Sequence, residues 1–327
     1  MKMLRVALFV GGVATVTFLV VRIGAGAIVS SLSRLTWWQF VFVCLPLGVS
    51  MAVDTLGWRY AFAGEPPPYA RMLVARITGE AVNVVTVLGS IGGEAVKVWI
   101  LRPVVPYRES VPSVIIDKTS ITVSQVIFLM LGLVIAATMG AVDRQVIFAM
   151  LGLVAIEVLA VAGFFVAQLA GMAGRGGRML ARAGLIEKTS SAERLDTSLR
   201  GFYRHQWPRF LLSVAFHLGG WLVDVLGTVI ILWVLNIPAG VATAAVIEAL
   251  GSGVQFVTFL IPGSLGALEG AFTATFTILG LGASAGLAFS LVRRARQVVW
   301  TGVGIVVLVA ARAHAAVAGA ARRRAAP

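Results

Sequence analysis

The sequence predicts an all-α polytopic membrane protein made of two inverted-topology repeats, with about six full spans and two broken re-entrant helical hairpins. Three observations carry this. First, hydrophobic residues make up 59% of the 327 and charged residues only 13%, where a soluble domain carries about 25% charged. Apolar runs recur at 6–21, 37–53, 121–142, 145–170, 210–235, 240–261 and 297–311, most of them close to the roughly 20 residues a helix needs to cross a bilayer. The alternating polarity of an outer-membrane barrel is missing. Second, "LGSIGGEAV" at 88–96 and "LIPGSLGALEG" at 260–270 each place a Gly-Ser-x-Gly turn and a glutamate inside apolar surroundings. Third, the basic residues gather at span ends and in one loop, as the positive-inside rule requires.

Taken in order, "MKMLRVALFVGGVATVTFLVVRIGAGA" has a basic start, an apolar core and a weak Ala-x-Ala at 25–27. Arg22 precedes that site and the downstream chain is itself apolar, so an uncleaved first span is expected rather than a signal peptide. Trp37–Trp38 anchor the second span at an interface. A hairpin over 70–102 and the span at 121–142 complete a first repeat, 1–142. The second repeat, 143–312, opens with 145–170. Segment 170–209 follows, with eight Lys/Arg against three acids, and is expected to be cytoplasmic. Span 210–235, a hairpin at 239–281 and span 297–311 close the repeat, and 313–327 is a basic cytoplasmic tail. With both termini in the cytoplasm of a bacterial inner membrane, the first hairpin dips in from the cytoplasm and the second from outside.

Backbone released from helical hydrogen bonding is tolerated at membrane depth only where protein buries it or a wet cavity adjoins it. Gly89, Gly92, Gly93, Pro262, Gly263 and Gly266 are the expected hairpin breaks. The competing explanation is small-residue helix packing, which 36 glycines make available at any one position.

An ionisable group in the membrane costs roughly 2.5–3.5 kcal/mol on insertion scales and calls for a partner or a function. Arg76 and Glu80 are four apart, on one helix face with Asn83, and are placed to pair. Glu94 and Lys97 are three apart. In the second half, Glu248 and Glu269 face Arg293 and Arg296. These groups either neutralise one another structurally or line a cavity for a polar headgroup, to which arginine's planar fork is suited. Asp224 in "WLVDVLG" is deep, with His217 on the same face as a structural histidine. Asp117 and Lys118 sit at a span mouth, where such a pair is usually interfacial, and Glu157 has no evident partner. The candidate substrate-binding set is Arg76, Glu80, Asn83, Glu94, Asp224, Glu248, Glu269, Arg293 and Arg296.

Cys44 is the single cysteine, and the three histidines are scattered, so neither a disulfide framework nor a metal site is expected. A net charge of +13 located at span ends argues against nucleic acid as a partner. There is no Gly-x-Ser-x-Gly, His-Glu-x-x-His or P-loop pattern. No cofactor and no catalysis are expected.

At "ARITGEAVNVVTVLGSIGGEAVKVWILR" (75–102) and "IEALGSGVQFVTFLIPGSLGALEGAFTATFTILGL" (247–281) the chain resembles the flippase-like integral membrane family that includes the transmembrane region of lysylphosphatidylglycerol synthases. Its Gly-Glu-x-x-Asn, Gly-Gly-Glu and "LVRRAR" elements are most similar to the subgroup associated with hopanoid biosynthesis. The resemblance implies lipid translocation, with motif residues at Gly79, Glu80, Asn83, Gly92, Gly93, Glu94, Pro262, Gly263, Gly266, Glu269, Arg293 and Arg296. Val87 stands about where members often carry proline, and the synthases' soluble aminoacyl-transferase domain is not expected here. The implied partner is a membrane lipid (a hopanoid, a phospholipid or a polyprenyl-linked lipid), with lipid-biosynthesis proteins beside it. A membrane-embedded lipid enzyme and a scaffold of a lipid-synthesis complex are the alternatives.

Overall fold

Thr36 opens the first helix by donating its backbone N–H to the Gln39 side chain at 2.9 Å, the reciprocal half of a capping box. From there the computed structural model describes residues 36–85, 90–140, 143–170 and 190–324, and every regular element among them is helical. In chain order they are α1 (Trp37–Tyr60), α2 (Tyr69–Val85), α3 (Ser90–Leu101), α4 (Tyr107–Thr138), α5 (Arg144–Leu169), α6 (Ser190–His205), α7 (Trp207–Val234), α8 (Val241–Val257), a 3-10 turn (Pro262–Ser264), α9 (Ala267–Ile278) and α10 (Ala283–Arg324). Five of these, α1, α4, α5, α7 and α10, are long and apolar enough to cross a membrane. Even the 24 residues of α1 extend about 36 Å at the usual helical rise. The predicted span at 6–21 lies outside the described residues.

Helix α1 packs most extensively on α7, and the two run antiparallel. Trp38 at the start of α1 meets Trp233 at the end of α7, with ring centroids 6.4 Å apart. Tyr60 at the other end of α1 stacks on Phe216 at 5.4 Å. Helix α2 packs on α3 and α10, and α8 packs on α9 and α4. Gly304 admits Ile77 and Ala81 of α2 against α10, and Gly132 admits Ala245 and Ala249 of α8 against α4. Such small-residue contacts bring helices together where lipid removes the usual hydrophobic drive. The outward face of α5 carries Phe148, Leu159 and Val166, all exposed, as lipid contact allows.

The two short-helix pairs are built differently. Helices α2 and α3 approach so closely at Gly93 that a Cβ there would overlap the Gly79 carbonyl oxygen and the Asn83 side chain. Gly92 and Gly93 are therefore helical residues of α3 that serve packing, which corrects their assignment as break points. Gly89 falls outside the described residues. Between α8 and α9 the break falls where expected. Gly263 and Gly266 adopt φ of 56° and 80°, and Ser264 follows the same hand at 49°. Glycine takes up such dihedrals without a Cβ penalty.

The described part of segment 170–209 includes a helix, α6. Within it α6 docks Leu199 and Phe202 into the apolar cluster around Trp58, Met72 and Leu101. Tyr203 donates to Gln168 at 2.9 Å, and burial pushes its phenol up to about 12. The sequence carried this helix as apolar residues at 195, 199, 202 and 203, a one-faced stripe.

Candidate functional site

A cavity of about 1130 Å³ is walled by α1, α2, α4, α5, α7, α8, α9 and α10. Five carboxylates (Asp54, Glu80, Asp224, Glu248, Glu269) and five cations (Arg76, Lys118, Arg293, Arg294, Arg296) line it. The wall therefore balances in formal charge. Its chemistry is that of paired ions, not of a net field.

On the first-half side, Arg76 is 2% exposed and places Nη2 at 2.9 Å from both oxygens of Asp117. The same nitrogen donates to the Asp54 carbonyl at 3.1 Å, and the guanidinium lies over the Trp58 ring at 5.8 Å. His217 joins this group from α7, with Nδ1 2.8 Å from Asp54 and Nε2 3.0 Å from Asp117. Asp117 is fully buried, so it is a central ionic partner and not interfacial decoration. Glu80 takes Lys97 at 3.1 Å in place of the anticipated Arg76. Lys97 also meets Glu94 at 3.1 Å, as its spacing suggested, and Lys118 lies 3.5 Å from Glu94.

On the second-half side, Glu248 is held by Arg293 and by the Thr228 hydroxyl. Arg293 also lies over the Phe272 ring at 5.2 Å. Glu269 performs two tasks. Its Oε2 accepts from Gly266 N–H at 2.7 Å, capping the start of α9, while its Oε1 accepts from Arg294 at 2.6 and 2.9 Å. Arg294 also donates to the Gly263 carbonyl at 2.7 Å, so one side chain secures both the break and the glutamate. In the first pair the matching device is Asn83, which accepts from Gly93 N–H at 2.8 Å.

Eight of the nine predicted binding residues line the cavity: Arg76, Glu80, Asn83 and Asp224, then Glu248, Glu269, Arg293 and Arg296. Glu94 does not; it stands behind the wall with Lys97, and Lys118 of the wall lies 3.5 Å from it. Arg296 is not the partner of Glu269. It is 3% exposed, and its Nη1 has no hydrogen-bond partner among the described residues. Asp224 accepts from Ser50 at 3.1 Å through one oxygen and leaves the other unpaired among the described residues. Glu157 meets Gln125 at 3.3 Å.

The sequence reading missed Asp54 and the pairing role of Arg294. A signal for Asp54 was present: "VDTLG" at 53–57 repeats as "VDVLG" at 223–227. The register agrees. Asp54 and Asp224 are the eighteenth residues of α1 and α7, and Arg76 and Glu248 are the eighth of α2 and α8. Asp117 and Arg293 are the eleventh of α4 and α10. The ion pair Arg76–Asp117 thus has a counterpart, Glu248–Arg293, at the same positions with the signs exchanged.

Fold and site together define a polytopic helical membrane protein with a charged cavity enclosed among its spans. The model of the lysylphosphatidylglycerol synthase transmembrane region matches residues 3–305, and the chain belongs to that family, which connects it to lipid handling. No curated protein and no solved structure matches the chain.

Proposed function

We propose that the protein is a lipid transporter of the flippase kind, moving a lipid with a polar headgroup across or out of the inner membrane. The cavity's polarity gradient carries the reading. Charged residues occupy the interior, whereas Ile156 and Phe164 of α5 and Val257 and Phe259 beside the α8–α9 break form an apolar part of the wall. These four are exposed or nearly so at the protein's apolar surface. A headgroup fits the inner part while its acyl, hopanoid or polyprenyl chain stays in the bilayer. Arg296, in the cavity wall, offers its planar fork to a phosphate or carboxylate, and Asp224, also in the wall, accepts from an ammonium or hydroxyl. The acids Glu80, Glu248 and Glu269 already have cationic partners, which favours a binding wall over an acid–base catalyst.

Two inverted halves, 1–142 and 143–312, belong to the same proposal. Antiparallel α1 and α7, the exchanged contacts of α2 with α10 and α8 with α4, and the matched register of ionic residues all support it, as does the recurrence of this plan in transporters. The two short-helix pairs act as re-entrant hairpins facing each other across the cavity. The basic 170–209 segment and both termini lie in the cytoplasm of a bacterial cell.

The test is lipid movement in proteoliposomes of phosphatidylethanolamine and phosphatidylglycerol carrying chain-labelled analogues of each, with the co-purifying lipid identified by mass spectrometry. Arg296→Gln is expected to slow movement at least about tenfold per folded molecule, the loss of one charged hydrogen bond being worth roughly 1.5–3 kcal/mol. Unchanged movement by the variant, or none by the parent, overturns the reading.

A further inference from the structure

The Asp54–His217–Asp117 cluster is not needed to hold a headgroup, and its hydrogen bonding does not close without an extra proton. A neutral imidazole has one N–H to donate and one lone pair that accepts, and an ionised carboxylate only accepts. His217 presents Nδ1 to Asp54 Oδ1 at 2.8 Å and Nε2 to Asp117 Oδ1 at 3.0 Å. Both contacts are satisfied only if the ring is doubly protonated or one carboxyl carries a proton. Arg76 already covers both oxygens of Asp117, so the added proton belongs to the His217–Asp54 side.

The surroundings give that proton a single described route to water. His217 and Asp117 side chains are 0% and 1% exposed, while Asp54 is 26% exposed and lines the cavity. The charged groups around the trio are Arg76 from α2, Lys97 from α3 and Asp224 further along α7. Gly57 leaves room for the ring, since a Cβ there would meet His217 at 2.9 Å. The first-half copy of the position, Leu47 in α1, has no such chemistry.

We propose that Asp54, His217 and Asp117 form a proton-binding site in the cavity wall, and that one proton bound and released per cycle drives the lipid movement; this rests on the transport reading above. The proton comes from cavity water to the Asp54–His217 pair when the cavity faces one side. It returns to water by the same pair when the cavity faces the other. No bond other than N–H or O–H forms or breaks. Coupling follows from the position of the ring. His217 is where α7 hydrogen-bonds to both α1 and α4. Deprotonation removes one of those bonds and leaves two carboxylates sharing Arg76, which weakens the hold of α7 on α1 and α4 while the Ser50–Asp224 and Ser120–Ser213 bonds remain. Reprotonation restores that hold.

Two measurements test this. In the His205→Gln/His314→Gln background, nitrogen-15 NMR of the remaining histidine should show both ring nitrogens protonated well above about pH 6.5, where a free histidine titrates. In Asp54→Asn the ring should become a single neutral tautomer near neutral pH. In the phosphatidylethanolamine–phosphatidylglycerol proteoliposomes, an imposed pH gradient should change net movement of the labelled lipids several-fold. The ratio of rates with and without the gradient should fall to one in His217→Gln, a ratio that does not depend on folded yield. A neutral ring beside an ionised Asp54 carboxylate in the parent, or parent movement indifferent to the gradient, overturns the proton site and leaves lipid transport standing. Absence of movement under every gradient overturns both.

Discussion

At the residue scale, the ionic partners show which pairings a sequence reveals. Glu248–Arg293 and Glu94–Lys97 were legible, the second because helix neighbours three apart meet. Arg76–Glu80 had equally good spacing, yet Arg76 went to Asp117 and Glu80 to Lys97, because a tertiary partner displaced the local one. Arg294 was passed over because it lies about 100° round the helix from Arg293, on the face that meets α9. Glu269→Gln keeps an acceptor for Gly266 N–H but strips Arg294 of its counter-charge. Removal of one member of a buried pair costs about 3–5 kcal/mol, and partial exposure of Arg294 places the expected loss at the low end. Thermal unfolding in detergent should show a lower midpoint, and Arg294→Lys, which keeps charge but loses the fork, a smaller shift. An unchanged midpoint for Glu269→Gln would remove the pairing role.

At the element scale, the second break was readable because proline and glycines coincide with an acid placed to cap the following helix. In the first, Gly92 and Gly93 proved helical, since a Gly-Gly pair signals a turn and a close helix contact equally well, while Gly89 lies outside the described residues. Structure resolves this: Gly93 is a contact. Gly93→Ala is therefore expected to destabilise by about 1–3 kcal/mol, the range for overpacking, by forcing α3 away from Gly79 and Asn83. Gly152→Ala, where a Cβ would meet nothing within 4 Å, should leave the midpoint unchanged or slightly raised. Equal effects at the two sites would show that helix propensity, not contact, governs both. A cysteine at Asn83 or at Gln255, the fifteenth residues of α2 and α8, should react with small water-soluble thiol reagents in a Cys44→Ala background. Protection of both would mean a dry cavity.

At the scale of the whole molecule, hydropathy located the five spans among the described residues, because bilayer thickness acts on composition directly. The wiring between spans was not legible: which helix faces which depends on contacts far apart in sequence, such as Asp54 with His217. Helix α6 was also missed, since 170–209 was judged by its charge alone. A reporter fused near Arg182 should be active in the cytoplasm, as eight basic residues resist translocation. Activity only outside would reverse the proposed orientation and exchange the sides from which the hairpins enter.

The pairing of α1 with α7 has a consequence for timing. Were the proposed inverted halves identical, exchanging them would convert the inward-open shape into the outward-open one, and the two would be degenerate in free energy. One substitution at matched register, histidine in α7 against Leu47 in α1, lifts that degeneracy. Each 1.4 kcal/mol of difference moves occupancy about tenfold, so in the proposed cycle this side chain is one of the differences that set how long the cavity waits open to each side. A Leu47→His/His217→Leu exchange should invert the preferred dwell, readable as reversed accessibility of a cavity cysteine to impermeant reagents added from either face.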